Sequence, residues 1–102
     1  MKVLTENHKY ELSNFENPDT VQVIQFIEKV KVNNDGDSKT VNDGTTNEEV
    51  LAMLIDRLTG LNKKFPCKEN KQSIKFLTRA QRLLESRTKD RVLRGVEGKH
   101  VL

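Results

Sequence analysis

The sequence predicts an α+β chain: an N-terminal β-hairpin or small antiparallel sheet, then an antiparallel α-helical hairpin, in the order ββαα. Three observations carry this. Residues 20–32 alternate apolar and polar over much of their length, which is strand periodicity. Residues 50–61 place Val50, Leu51, Leu54, Ile55, Leu58 and Leu61 at helical spacing. Residues 74–84 repeat that spacing with Ile74, Leu77, Ala80 and Leu84. At 102 residues the chain is the size of one domain. The β part is expected over about 1–43 and the helical hairpin over about 46–96.

The elements follow in order. Tyr10 and Leu12 open a first strand that continues toward Phe15. Glu16-Asn17-Pro18-Asp19 is a turn, with Pro18 fixing its own φ. Past Val23, Ile24, Phe26, Val30 and Val32 point one way and Gln25, Lys29 and Lys31 the other. Ile27 and Glu28 break the pattern, but one half-buried strand is expected over 20–32. Asp35-Gly36 marks a second turn, and Lys39-Thr40-Val41 can add a third short strand.

Asn42-Asp43-Gly44 reads as a loop. Thr46-Asn47-Glu48-Glu49 then has the capping-box form, in which the Thr hydroxyl and the third residue's carboxylate satisfy each other's backbone amides. Gly60 and Asn62 predict the end of the first helix. Phe65-Pro66 lies in the link. The second helix is expected to start between Cys67 and Lys71, run through Arg91 and close at Gly95 and Gly98. Two helices joined by a short link should pack antiparallel.

Hydrophobic residues make up 34% of the chain and aromatics 5%, with no Trp, so the core supply is thin. Met53, Phe76 and Leu83 fall off the seam rows and have no obvious partner within one copy. A homo-oligomer is therefore expected. No apolar run approaches the roughly 18–20 residues of a membrane span. Charge follows Met1 at once, which is not the pattern of a secretory signal. One Cys allows neither an internal disulfide nor a Cys/His zinc cluster. A cytosolic protein without metal or cofactor is the expectation.

Charge is uneven. Residues 1–47 hold five Lys/Arg and eight Asp/Glu, and residues 48–102 hold thirteen and seven, so the halves carry −3 and +6. The C-terminal half should attract anions. On a helical wheel Arg87, Arg91 and Arg94 continue the row of Leu77, Ala80 and Leu84. Arginine forks suit phosphate. The same three arginines would also complement the negative end of a helix and pair with Asp90 or Glu97. A second row, Lys71, Lys75, Arg79 and Arg82, lies on another face and reads as a solvated surface. His8 and His100 sit near the termini, Cys67 has no base in sequence reach, and Asp56 and Arg57 read as surface charges. No catalytic triad, P-loop or dinucleotide fingerprint is present. A binding protein, not an enzyme, is the class that remains.

Several blocks resemble one family. They are Gly44-Thr45-Thr46-Asn47-Glu48-Glu49-Val50-Leu51 with Met53-Leu54-Ile55-Asp56-Arg57-Leu58, then Phe65-Pro66-Cys67-Lys68-Glu69-Asn70. Arg87-Thr88-Lys89-Asp90-Arg91 and Arg94-Gly95-Val96-Glu97-Gly98-Lys99-His100 follow. In this order they resemble the Thoeris anti-defence family of phage sponge proteins. The Phe15-Glu16-Asn17 turn and the Gln25-Phe26-Ile27 strand are similar as well, so the resemblance spans roughly residues 10–100. The helical hairpin is also similar to that of the phage anti-CBASS sponges.

The resemblance implies a non-enzymatic sink in the host bacterial cytoplasm. It would sequester a glycocyclic ADP-ribose signal (gcADPR), which a TIR-domain enzyme makes from NAD, and so block Thoeris immunity without cleaving the signal. Family ligand sites lie between protomers of a dimer or hexamer, and some members also hold CBASS cyclic di- or trinucleotides. Arg87 and Arg91 match the family's paired arginines, implied to meet the diphosphate. Asn70 matches the asparagine that contacts the ligand from the start of the second helix, and Met53 and Thr88 match positions near the pocket. Gly60 stands where many members carry a base-stacking aromatic; Phe65 is the substitute nearest in sequence. The alternative from another class is a phage nucleic-acid-binding module that uses the Lys71–Arg82 row.

Overall fold

The computed structural model describes residues 1–102. Its elements are β1 (Lys2–Thr5), β2 (Lys9–Ser13), β3 (Val21–Gln25), β4 (Glu28–Lys31), β5 (Ser38–Asn42), α1 (Asn47–Lys64) and α2 (Lys68–Leu93). Small antiparallel sheets therefore precede two helices, as the periodicities predict. The chain divides into two compact units: Met1–Thr46 with Gly98–Leu102, and Asn47–Glu97.

In the first unit β1, β2 and β3 form one antiparallel sheet in that order, and β4 pairs with β5 in a second. The first hairpin turns where Pro18 predicts, with the Thr20 amide donating to Asn17 O at 3.0 Å. The single strand expected over 20–32 is instead two strands. Phe26 and Ile27 separate them, at the point where the alternation fails. The reason is a backbone exchange with the loop before α1. Thr45 N donates to Gln25 O at 2.9 Å and Ile27 N donates to Thr45 O at 3.0 Å, so the chain leaves one sheet and enters the other.

Gly44 makes this approach possible. A Cβ there would lie 2.4 Å from Gln25 O and 2.6 Å from the Phe26 carbonyl carbon. Tyr10 and Phe26 meet edge to face, with ring centroids 5.9 Å apart. Strand β1 was not expected from the sequence. It pairs with β2 around Asn7, whose φ of 67° is a conformation Asn tolerates.

Residues 98–102 belong to this unit. The Ser38 hydroxyl donates to Gly98 O, His100 N donates to Gly36 O at 2.9 Å, and Lys99 pairs with Asp37 at 3.4 Å. Gly36 is buried with φ +87°, and a Cβ there would sit 2.7 Å from Val101 Cγ1. His100 is thus a fixed part of the β4–β5 turn rather than a loose tail.

The second unit is the helical hairpin. Helix α1 starts directly after Thr46 and carries Glu48 and Glu49 in its first turn, which suits the positive helix end. It does not stop at Gly60 or Asn62 but continues to Lys64, since one exposed glycine costs a helix only about 1 kcal/mol. Pro66 then ends it, and the Asn62 carboxamide oxygen accepts from Cys67 N at 3.1 Å. Helix α2 starts at Lys68 with Cys67 as its cap, Sγ accepting from Asn70 N at 3.4 Å. It ends in a Schellman closure around Gly95, φ +71°. There Gly95 N donates to Val92 O and Val96 N to Arg91 O, both at 3.0 Å. Gln81 Nε2 lies 3.5 Å from Glu48 O, so the start of α1 sits beside the middle of α2 and the pair is antiparallel.

No hydrophobic side chain in the chain is buried. Val50, Leu51, Ile55 and Leu58 of α1 and Ile74, Leu77, Ala80 and Leu84 of α2 are half-buried along the seam. Met53, Phe76 and Leu83 are 54%, 61% and 66% exposed. No helix is long and apolar enough to cross a membrane.

Gly44→Ala should destabilise by about 1–3 kcal/mol, the usual cost of forcing atoms into filled space. Gly60→Ala, with nothing within 4 Å of its Cβ, should stabilise by up to about 1 kcal/mol. Urea unfolding of both variants checks the opposite signs. Asp37 is held below its ordinary value of 3.8, first by the hydrogen bond from Asn33 and then by Lys99. A lowered folded pKa gives stability that is present above the unfolded value and lost as pH falls through the folded one. Acid melts of the wild type should thus weaken below about pH 4, and Asp37→Asn should flatten that part of the curve.

Candidate functional site

The site residues expected from the sequence divide into three places. Arg87, Thr88 and Arg91 share the last turns of α2. Asn70 lies in its first turn. Met53 lies on α1, where it lines an open groove of about 560 Å³ with Asp56, Arg57, Gly60, Leu61 and Lys64. Helix α2 runs unbroken from Lys68 to Leu93. At about 1.5 Å per residue, Asn70 and Arg87 are about 25 Å apart along one rod. One copy does not bring them to one small ligand.

The arginines differ in state. Arg87 is exposed and forms no salt bridge within the chain. Arg94 pairs with Asp90 one turn back at 3.0 Å, an exposed i, i+4 pair. Arg91 is the only buried charged residue, 5% exposed. Its guanidinium donates to Val96 O at 2.9 Å, and Nε meets Glu97 Oε2 at 3.3 Å. In the single chain Arg91 and Arg94 thus make the helix-end pairs that the sequence allowed. Thr88 is half-buried beside them.

Asn70 is half-buried, and its backbone amide is held by the Cys67 cap. The groove that Met53 lines extends past Gly60, where nothing lies within 4 Å of a Cβ. Phe65 is 74% exposed on the neighbouring link. From the sequence alone Glu97 is one pairing option for the helix-end arginines. Its place beside a buried guanidinium depends on the Gly95 closure, which reverses the chain.

Elsewhere, Lys75, Thr78, Arg79, Arg82 and Leu83 line a shallow groove of about 470 Å³ on the outer face of α2. None of these cations is in a salt bridge within the chain. No group of three or more His, Cys, Asp or Glu is placed to hold a metal ion.

No family model and no solved structure matches the chain. A curated protein of Bacillus phage SBSphiJ7, "Thoeris anti-defense 1", is 44% identical over 59 residues. That match covers 57% of this chain and 42% of the relative, so the chain spans less than half the length of the protein it matches. The resemblance of this chain to the Thoeris anti-defence family, drawn from its sequence blocks, is supported by a phage relative that carries that name.

Proposed function

We propose that this protein is a phage anti-Thoeris sponge that binds gcADPR, keeps it from the NAD-depleting effector and releases it intact. Arg87 and Arg91 meet the diphosphate. Asn70 contacts a base or ribose, and Thr88 and Met53 line the pocket. Cyclic di- and trinucleotides of CBASS are further candidate ligands. The observation that carries the reading is the end of α2. There two arginines stand one turn apart, one of them exposed and without a carboxylate partner. The 44% identity to a Thoeris anti-defence protein supplies the biological context.

The length of α2 adds a requirement. Asn70 and Arg87 of one copy cannot share a ligand, so the site is completed by a second copy, with the two ends of α2 coming from different protomers. Association also covers Phe76 and Leu83, which one copy leaves in water. Light scattering coupled to size exclusion should give a multiple of 11.7 kDa at micromolar concentration, a dimer or a hexamer. A clean monomer contradicts the shared site.

An effective sink needs tight binding. A nanomolar dissociation constant corresponds to about −12 kcal/mol, which small ligands reach through preformed charged contacts. Losing one well-placed arginine should cost roughly 2–4 kcal/mol, since a desolvated phosphate is left unpaired. Arg87→Ala should weaken gcADPR binding by about one to three orders of magnitude in calorimetry. It is the cleanest substitution, because Arg91 also closes the helix end. Lys75→Ala should change binding less than about threefold. Intact ligand should be recovered when the complex is denatured, and time-dependent cleavage would mean an enzyme instead.

The second reading is a nucleic-acid module. It is favoured by the row Lys71, Lys75, Arg79 and Arg82, none of it in a salt bridge within the chain, and by the groove that the last three of them border. Binding through many phosphates falls steeply with salt, whereas a closed small-ligand site falls much less. If Lys75→Ala abolishes binding and Arg87→Ala does not, this reading replaces the first.

A further inference from the structure

The burial of Arg91 poses a physical problem that its neighbour solves. A guanidinium taken out of water without a counter-charge is strongly destabilising. Arg91 is 5% exposed, and the carboxylate beside it belongs to Glu97, four residues beyond the end of α2. The two are not on the same stretch of helix. Gly95, with φ +71°, turns the chain so that Val96 N returns to Arg91 O and Val96 O accepts from the Arg91 guanidinium. The closure therefore delivers one backbone acceptor and one carboxylate to the same side chain.

The two partners differ in accessibility. The Arg91 side chain is 6% exposed and that of Glu97 is 43% exposed. The carboxylate is thus the more solvent-exposed member of the pair and occupies the Nε edge of the guanidinium. The carboxylate carries one negative charge, meets Nε at 3.3 Å, and belongs to a side chain that is 43% exposed. A diphosphate carries more charge and more acceptor oxygens and can replace it with charge-assisted hydrogen bonds.

We infer that Glu97 is a built-in stand-in for the ligand's phosphate: it neutralises Arg91 in the empty protein and must be displaced when a diphosphate-bearing ligand binds. The inference rests on the reading of Arg91 as a diphosphate contact. It assigns Glu97 a role in setting affinity: the carboxylate competes with weak or singly charged anions and yields to a doubly bridging one. A sponge with this device ignores inorganic phosphate and carboxylate metabolites that would otherwise occupy a preformed arginine site.

The test uses inorganic diphosphate, so it does not depend on gcADPR being the ligand. Glu97→Gln keeps the side-chain size and a hydrogen-bonding oxygen but removes the competing charge. Asp90→Asn is the control. It removes one negative charge a turn away, from the partner of Arg94 rather than Arg91. In calorimetry Glu97→Gln should bind diphosphate five- to tenfold more tightly than wild type, and Asp90→Asn should change it less than twofold. Equal gains in both variants mean a general field effect and overturn the proposal, as does no gain in Glu97→Gln.

A measurement on the wild type covers the case in which Glu97→Gln fails to fold. Diphosphate added to ¹⁵N-labelled protein should move the Arg91 Nε–H resonance and the Glu97 amide together. Failure of both to move overturns the proposal. Titration with gcADPR separates the two ideas. If wild type does not bind gcADPR while Glu97→Gln gains diphosphate affinity, the stand-in survives and the choice of signal is wrong. If wild type binds gcADPR and Glu97→Gln gains nothing for diphosphate, the signal is right and Glu97 is only a helix-end partner.

Discussion

Apolar side chains on this chain are few and spread over several faces, and that constraint governs the rest of the structure. With 34% hydrophobic residues and none of them buried, neither unit closes a core of its own. Backbone hydrogen bonding carries more of the local order than in a typical domain. The first unit is held by two narrow sheets and by the Gln25–Thr45–Ile27 exchange that joins them. The second is a two-helix seam of half-buried Leu, Ile and Val residues. Such layers gain most from association, because each apolar face left in water is free energy that a partner surface can recover.

The same economy explains the form of the proposed site. A small-molecule pocket normally needs walls on several sides. A chain that folds into thin layers has few walls to offer, and an unbroken 26-residue helix holds Asn70 and Arg87 far apart. The proposed self-association would address both problems at once, by supplying walls and by bringing opposite helix ends together. In such an arrangement affinity becomes linked to assembly, since ligand that bridges copies also stabilises their contact.

Much of the fold was legible in the sequence. The two helices, the first hairpin turn at Pro18 and the Asp35-Gly36 turn follow from local chemistry that the structure keeps. The failures have specific causes. The strand over 20–32 breaks at Phe26 because a distant residue, Thr45, takes over its hydrogen bonds, and no local pattern encodes that. Helix α1 passes through Gly60 because one exposed glycine is too weak a signal to end it, and it runs on to Lys64, just before Pro66. Strand β1 lacks alternation, and only its pairing with β2 defines it. For the site, the helical row placed Arg87 and Arg91 on adjacent turns. The burial of Arg91 was not legible, since it depends on the chain reversal at Gly95 that brings Val96 and Glu97 back to it.

Residues 98–102 complete the β4–β5 turn although some 60 residues separate Gly98 from its partner Ser38. The whole helical hairpin is thus an insertion within the first unit, in the topological sense. Closing a flexible loop of that length costs about 3.6 kcal/mol beyond a constant term, by the three-halves logarithmic law. A helical hairpin that forms early shortens the effective loop and lowers this cost, because its contacts are local and fast. The β4–β5 turn then matures late, when the strap reaches Gly36. Folding of this small chain should therefore proceed in two tempos, with the C-terminal strap as the slow one, and a nascent chain still lacking residues 98–102 carries an unfinished β unit however complete its helices are.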